Sequence, residues 1–295
     1  MLRVQRILAP NPGVFTLEGT NTWIVGDGPT LVIDPAPALA EHLDEVRPAA
    51  GNVAHVLVTH DHEDHAEGAA AFAASVVAPV SAWRLDGADR IKDEQTFSVP
   101  GAEVVALHAP GHSADSVVFL ETASRGMFTG DTVLGRGTSF IDPPDGDLAK
   151  YLGSLRRLSD LEPRTLYPGH GPLVLDGSAK LREYLDHRAE REEQVLAALG
   201  EPRTVAQLVE EIYPDQPAEV RPLAARTMTA QLRKLDAEGR VEKRGRGGQQ
   251  TWRLAEARTC ARCGRAITGR ARYCGPCSLA LLQGADPAPT RADGS

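Results

Sequence analysis

Cysteine is scarce in this 295-residue chain and confined to one short segment, as Cys260, Cys263, Cys274 and Cys277. No disulfide framework can therefore run through the fold, which points to a reducing compartment. Long apolar runs are also missing. Nowhere do about 18 apolar residues follow one another, which excludes a membrane-spanning helix. Residues 1–10 carry arginines at 3 and 6 but no apolar stretch of signal-peptide length. The expectation is a soluble, cytoplasmic protein without a membrane partner. No internal repeat is present.

Hydrophobic residues make up 42% of the chain, enough for one large domain and one or two small ones. Net charge is −8 but unevenly spread: residues 221–279 hold fourteen Arg and Lys against four Asp and Glu. An acidic body thus carries a basic C-terminal region.

Short apolar segments of strand length and β-branched content occur at 22–25, 30–33, 53–58, 103–107, 116–120 and 126–128. They alternate with helical stretches at 38–46, 66–74 and 148–158, which predicts a layered α/β or α+β domain over residues 1–177. A long charged helix is expected over 178–200, with Leu181, Leu185, Val195, Leu196 and Leu199 on its apolar side and Gly200 and Pro202 at its end. Thr204 and Gln207 then form a capping box before Val205, Leu208, Val209 and Ile212. A helix over 223–238 follows, and two short strands, 240–243 and 250–254, flank a basic glycine-rich tip. Helices followed by a β wing describe a winged-helix module over 201–256. The cysteine segment occupies 257–283, and the small, polar tail 284–295 is expected to be disordered.

The most informative stretch is Thr59 to His65, which directly follows the apolar run 53–58 and places His60, His62, Asp64 and His65 within six residues. Imidazole and carboxylate together suit a borderline cation such as zinc. So polar a run is a poor strand, and a tight loop can turn its side chains in two directions, toward two metals. Three later segments set a His or Asp beside glycine after an apolar stretch: His112 after Gly111, Asp131 after Gly130, and His170 between Gly169 and Gly171. Taken singly, each reads as a loop-capping group.

Together, in this order, they resemble the motifs of a metallo-β-lactamase-fold hydrolase, over roughly residues 10–175. That resemblance implies a four-layer αββα sandwich. It also implies that His60, His62 and His112 hold one metal, that Asp64, His65 and His170 hold a second, and that Asp131 bridges them. Two zinc ions are expected, although manganese or iron would suit the same donors. Metal-bound hydroxide would then be the nucleophile, with Asp64 assisting proton transfer. The chain departs from the major zinc β-lactamases, which are exported and carry Cys where Asp131 stands, and from di-iron flavoproteins, which have Glu in place of His62. Its second half is similar to the winged-helix domain of the lactamase-beta-2-like group. That group shares an opening segment like 11–13 and 19–22 and a Tyr-Pro-Gly-His-Gly motif like 167–171, and one animal member is a single-stranded RNA endonuclease.

Arg240, Lys243, Arg244, Arg246 and Arg253, on and around the wing, could contact phosphates; an ordinary solvated face explains them equally well. Only Trp252 and Tyr273 offer aromatic stacking there. Two Cys-x-x-Cys knuckles ten residues apart predict a closed structural zinc ribbon, in preference to a redox pair. Arg258, Arg262, Arg265, Arg270 and Arg272 make that ribbon basic. On these grounds the sequence favours a dinuclear zinc hydrolase cleaving a phosphodiester in single-stranded RNA. The alternative is a thioester or acyl ester hydrolase of glyoxalase II (hydroxyacylglutathione hydrolase) type acting on a small molecule. A non-catalytic nucleic-acid-binding protein is a minor third reading.

Overall fold

The structure is a computed structural model that describes residues 2–282 other than 216, 218, 219, 246, 248, 249, 257 and 268–273. Arg246, Arg270, Arg272, Tyr273 and the tail 284–295 lie outside the described residues. The chain divides into two compact units, Met1–Ala189 and Glu190–Ser295.

In the first unit, β1 (Val4–Leu8), β2 (Asn21–Val25), β3 (Thr30–Ile33), β4 (Val53–Leu57), β5 (Val80–Ala82) and β6 (Asp89–Arg90) form a six-stranded sheet in sequence order. It is antiparallel from β1 to β3 and parallel from β3 onward. A second sheet has the order β11-β10-β9-β8-β7, from β7 (Thr96–Val99), β8 (Ala102–His108), β9 (Val117–Glu121), β10 (Gly126–Gly130) and β11 (Thr165–Pro168).

The alternation of side chains along these strands produces the layers. Trp23, Val25, Leu31, Ile33 and Leu57 of the first sheet meet Phe97, Val104, Ala106, Val117, Phe119 and Phe128 of the second in one core. On the other face of the first sheet, Ile24, Val32 and Val56 pack with Leu43 and Val46 of α1 (Ala40–Ala50) and Phe72 of α3 (Ala69–Val76). Each such buried side chain is worth about 1.5–3 kcal/mol of transfer free energy. Leu107, Val118, Met127 and Leu166 turn to the outer side of the second sheet and are buried, as is the Tyr151, Leu152, Leu155, Leu158 stripe of α4 (Leu148–Asp160). This is the expected αββα sandwich.

The long helix α5 (Gly177–Ala198) begins in the first unit and ends in the second. Its buried stripe within the first unit is Leu181, Tyr184 and Arg188, and Leu185 is only half-buried, because Tyr184 falls on the 3.6-residue period and Leu185 one step off it. In the second unit, α6 (Val205–Ile212) starts with both bonds of the Thr204/Gln207 capping box in place. Next come α7 (Arg221–Ala237) and the antiparallel wing strands β12 (Val241–Arg244) and β13 (Thr251–Leu254). Leu208, Val209, Met228, Leu232, Leu235, Val241 and Trp252 form their core. The cysteine segment adds the paired strands β14 (Arg258–Thr259) and β15 (Ala266–Ile267), and α8 (Gly275–Leu282). Among the described residues no helix is long and apolar enough to cross a membrane.

Candidate metal centre

The predicted ligands of the first unit lie in segments that follow the C-terminal ends of strands. His60 and His62 follow β4, His112 follows β8, Asp131 follows β10 and His170 follows β11. Strands β8, β10 and β11 run in the same direction, so their C-terminal ends share one edge of the second sheet. Bonds between the two sheets close that edge against the first: Val117 N–H donates to Thr59 O (2.7 Å) and Asn21 N–H to Gly169 O (2.7 Å).

The 59–65 run turns in two directions, through a device the sequence did not show. His60 and His62 lie in a loop, and the single helical turn α2 (Glu63–Ala66) then carries Asp64 and His65. Two ligand groups result. His60, His62 and His112 converge, with His60 Nε2 3.0 Å and His112 Nε2 3.2 Å from His62 Nδ1. Asp64, His65 and His170 form the second, with the two Nε2 atoms 3.1 Å apart and Asp64 Oδ2 3.1 Å from His170 Nε2. Two nitrogens bound to one tetrahedral zinc at about 2.0–2.1 Å would stand about 3.3 Å apart, close to these separations. Asp131 faces both groups: Oδ1 is 3.4 Å from His65 Nε2 and from His170 Nε2, and Oδ2 is 3.7 Å from His112 Nε2. Its Oδ1 is buried and makes no hydrogen bond. A cation would satisfy it.

Outer partners fix which nitrogen each ring presents. Nδ1–H of His112 donates to Phe140 O (2.9 Å) and Nδ1–H of His170 to Gly19 O (3.2 Å), which leaves Nε2 free to ligate. His65 Nδ1 lies 2.8 Å from Oδ2 of Asp34, a residue the sequence reading missed. Asp34 is 2% exposed and also accepts from the Thr59 amide and hydroxyl, both at 2.7 Å. The missed signal is positional: Asp34 ends β3 beside the parallel β4, where Ile33 pairs Leu57, just as the His60 loop ends β4.

The 168–171 segment is held equally firmly. Asn21 Nδ2 donates to Pro168 O and Gly171 O (both 2.9 Å), and Trp23 Nε1 donates to Pro168 O (3.0 Å). Asn21 belongs to the opening segment, and its role is to brace the loop carrying His170. At Gly169 a Cβ would stand 2.6 Å from His65 Cε1 and 2.9 Å from Asp131 Oδ1, so no side chain fits there without displacing a ligand.

Charge states follow from the same contacts. Burial pushes His60 well below the ordinary imidazole range, with the neighbouring His65 and His112 adding to the effect, and burial likewise lowers His112. Burial would raise Asp131, but His170, His65 and His112 outweigh it and hold the carboxyl well below its usual range. Burial would lower His65, but Asp131 and Asp34 pull it well above the ordinary value. Neutral His60 and His112 beside an ionised Asp131 are the donor states that a divalent cation needs, whereas at His65 a cation would take the place of a proton that Asp131 and Asp34 favour.

The same pattern recurs in known proteins. The metallo-beta-lactamase superfamily pattern matches residues 15–88 and 79–170, which include all seven candidate ligand positions. The chain belongs to the metallo-beta-lactamase superfamily. It is a metal-dependent hydrolase of that superfamily, and residues 204–252 match the beta-lactamase associated winged helix domain. An atrochrysone carboxyl ACP thioesterase of Claviceps purpurea (strain 20.1) is 36% identical over 274 residues, covering 86% of each chain. Another, from Passalora fulva, is 38% identical over 271 residues, covering 85% of this chain and 80% of that one. A beta-lactamase-like protein 2 homolog of Caenorhabditis elegans is 32% identical over 257 residues, covering 81% of this chain and 86% of that one. The fold recurs in a metallo-beta-lactamase family protein of Thermus thermophilus, with TM-score 0.71 and 22% identity, covering 85% of this chain and 98% of that one.

In the second unit, the ligand sulfurs of Cys260, Cys263, Cys274 and Cys277 all lie within 4.8 Å of one another, a set able to hold a metal ion. The predicted phosphate-binding cations are differently disposed. Arg240 pairs with Glu192 and Glu238, Arg253 with Glu242 and Glu256, and Arg244 with Glu242. Lys243 alone of the four described takes part in no ion pair.

Proposed function

We propose that this chain hydrolyses an acyl thioester whose acyl group is apolar, using two cations held by His60, His62 and His112 on one side and Asp64, His65 and His170 on the other, with Asp131 between them. When bound, the cations would activate water and polarise the thioester carbonyl. The chain's own residues hold the donors in register and supply the substrate wall. The water oxygen bonds to the acyl carbon, the C–S bond breaks, and a carboxylic acid and a thiol result. Asp64, at 27% exposure the most open carboxylate of the site, takes up the proton from the water and returns it to the departing sulfur.

The observation that carries this reading is an apolar lip beside His112. Val14 is 74% and Phe15 52% exposed, large apolar surface that a protein rarely leaves in water without use. The Phe15 ring lies 5.6 Å from that of Phe140, and the carbonyl of Phe140 is the group that orients His112. An acyl chain or aromatic ring on this lip would have its reacting carbonyl beside the donors. The names of the fungal thioesterases support the same chemistry.

The RNA reading is weakened at the wing, where three of the four described cations are paired with carboxylates. A polyanion would have to displace those partners. The Cys260, Cys263, Cys274 and Cys277 cluster is assigned to one structural zinc, since four thiolates leave no open position for chemistry.

Removing the Phe15 ring tests the reading. Phe15→Ala is expected to lower kcat/KM about tenfold, or about 1.4 kcal/mol, for a long-chain or aromatic acyl thioester while leaving an acetyl thioester nearly unaffected. Equal loss on both substrates, or no turnover of any thioester by the metal-loaded wild type, would contradict it.

A further inference from the structure

A cavity of about 370 Å³ opens in the winged-helix unit between α7 and the wing. From α7 it is lined by Thr229, Arg233 and Asp236, which recur at i, i+4 and i+7 and so share one face of the helix. From the wing come Lys243, Gln250 and Trp252. Lys243 and Trp252 are directly opposed across β12 and β13, which puts both side chains on one face of the hairpin.

Three features of this lining belong together. The surrounding cations Arg240, Arg244, Arg253 and Lys234 are all engaged by carboxylates, whereas among the described residues Arg233 and Lys243 are in no ion pair. Trp252 is 3% exposed, and its Nε1–H, a donor only, is buried without an acceptor. Leaving a buried donor unsatisfied costs about 1–3 kcal/mol. The one carboxylate of the lining, Asp236, has an interaction of its own. Among the described residues the cavity thus gathers two cations in no ion pair, beside the buried ring of Trp252.

We propose that this cavity binds a small phosphomonoester. The phosphate is a dianion near neutral pH, and its terminal oxygens can accept from a guanidinium on α7 and an ammonium on the wing, arriving from different directions. The volume exceeds what phosphate alone fills and lies in the range of small-molecule sites. A nucleic-acid backbone fits less well, because it needs a track of free cations and the neighbouring ones are paired. The inference does not depend on the reaction catalysed by the first unit.

The indole resonance of Trp252 provides the readout, in full-length ¹⁵N-labelled protein, assigned with Trp252→Phe. Adenosine 5′-monophosphate is expected to shift it saturably, inorganic phosphate to shift it likewise, and adenosine to leave it unmoved. Arg233→Gln and Lys243→Gln should each weaken binding about tenfold or more, Lys243→Arg should retain it, and all three exposed-site variants should keep the wild-type Tm. If inorganic phosphate binds as tightly as the nucleotide, the site stands and free phosphate is its ligand. No shift with either phosphate probe, an unchanged affinity in the Arg233→Gln/Lys243→Gln double variant, or a response to single-stranded RNA alone would overturn the proposal.

Discussion

Asp34 shows how much of a metal site lies outside its ligands. Its carboxylate joins the Thr59 main chain and hydroxyl to His65, so one buried side chain fixes both the start of the His-rich loop and the ring at its end. Its backbone sits at φ +51°, the left-handed region, which Asp tolerates better than most residues. Asp34→Asn keeps the volume but places an amide donor against either Thr59 or His65. Metal affinity should fall about 10- to 100-fold, as for other outer-shell partners of ligating histidines. Competition with a chromogenic chelator would measure it, and wild-type affinity in a folded variant would show that Asp34 does not tune the site. The candidate ligands were legible in the sequence through the order of their motifs, which resembles that of the metallo-β-lactamase fold. Asp34 was not, since a single Asp before proline reads as a turn, and the carbonyls of Phe140 and Gly19 carry no side-chain signal at all.

At the scale of elements, the first unit builds its candidate site from the strand ends, and in the second one carboxylate joins α5 to α7 and to the start of the wing. Glu192, near the end of α5, accepts from Gln231 Nε2 (3.0 Å) and Lys234 on α7 and from Arg240 at the start of the wing. Burial would raise its pKa, but Lys234 and Arg240 outweigh that and lower it. A depressed carboxyl contributes stability above its unfolded value and loses it as pH falls through the folded one. Glu192→Gln should therefore destabilise this unit by about 1–3 kcal/mol at pH 7. The difference from wild type should vanish as the pH drops below the carboxylate range, which denaturant titrations at several pH values would follow. A pH-independent difference would mean that packing, not charge, is at stake. Periodicity and capping made these helices and the wing readable in advance. The short strands β1, β5, β6, β7 and β11 were not, because they are only two to five residues long and are defined by their partners rather than their own pattern.

For the whole molecule, the count of cations in a segment says less about its partner than their pairing does. The basic composition of residues 221–279 suggested a polyanion, but composition does not record that Arg240 and Arg253 are paired with Glu192, Glu238, Glu242 and Glu256. Conversely, Phe15 draws no notice in the sequence, being an apolar residue in a glycine-containing loop, and becomes informative through its contact with Phe140, whose carbonyl orients His112. The fold and the candidate ligand set follow from local pattern and motif order, whereas substrate choice depends on which side chains remain unpaired and exposed. The decisive measurement is a side-by-side assay of metal-loaded protein on an apolar acyl thioester and on single-stranded RNA, with Asp131→Ala as control. Thioester hydrolysis that a chelator abolishes and that Asp131→Ala lowers about a hundredfold or more, without metal-dependent RNA cleavage, is the predicted result. RNA cleavage with the thioester untouched would contradict it.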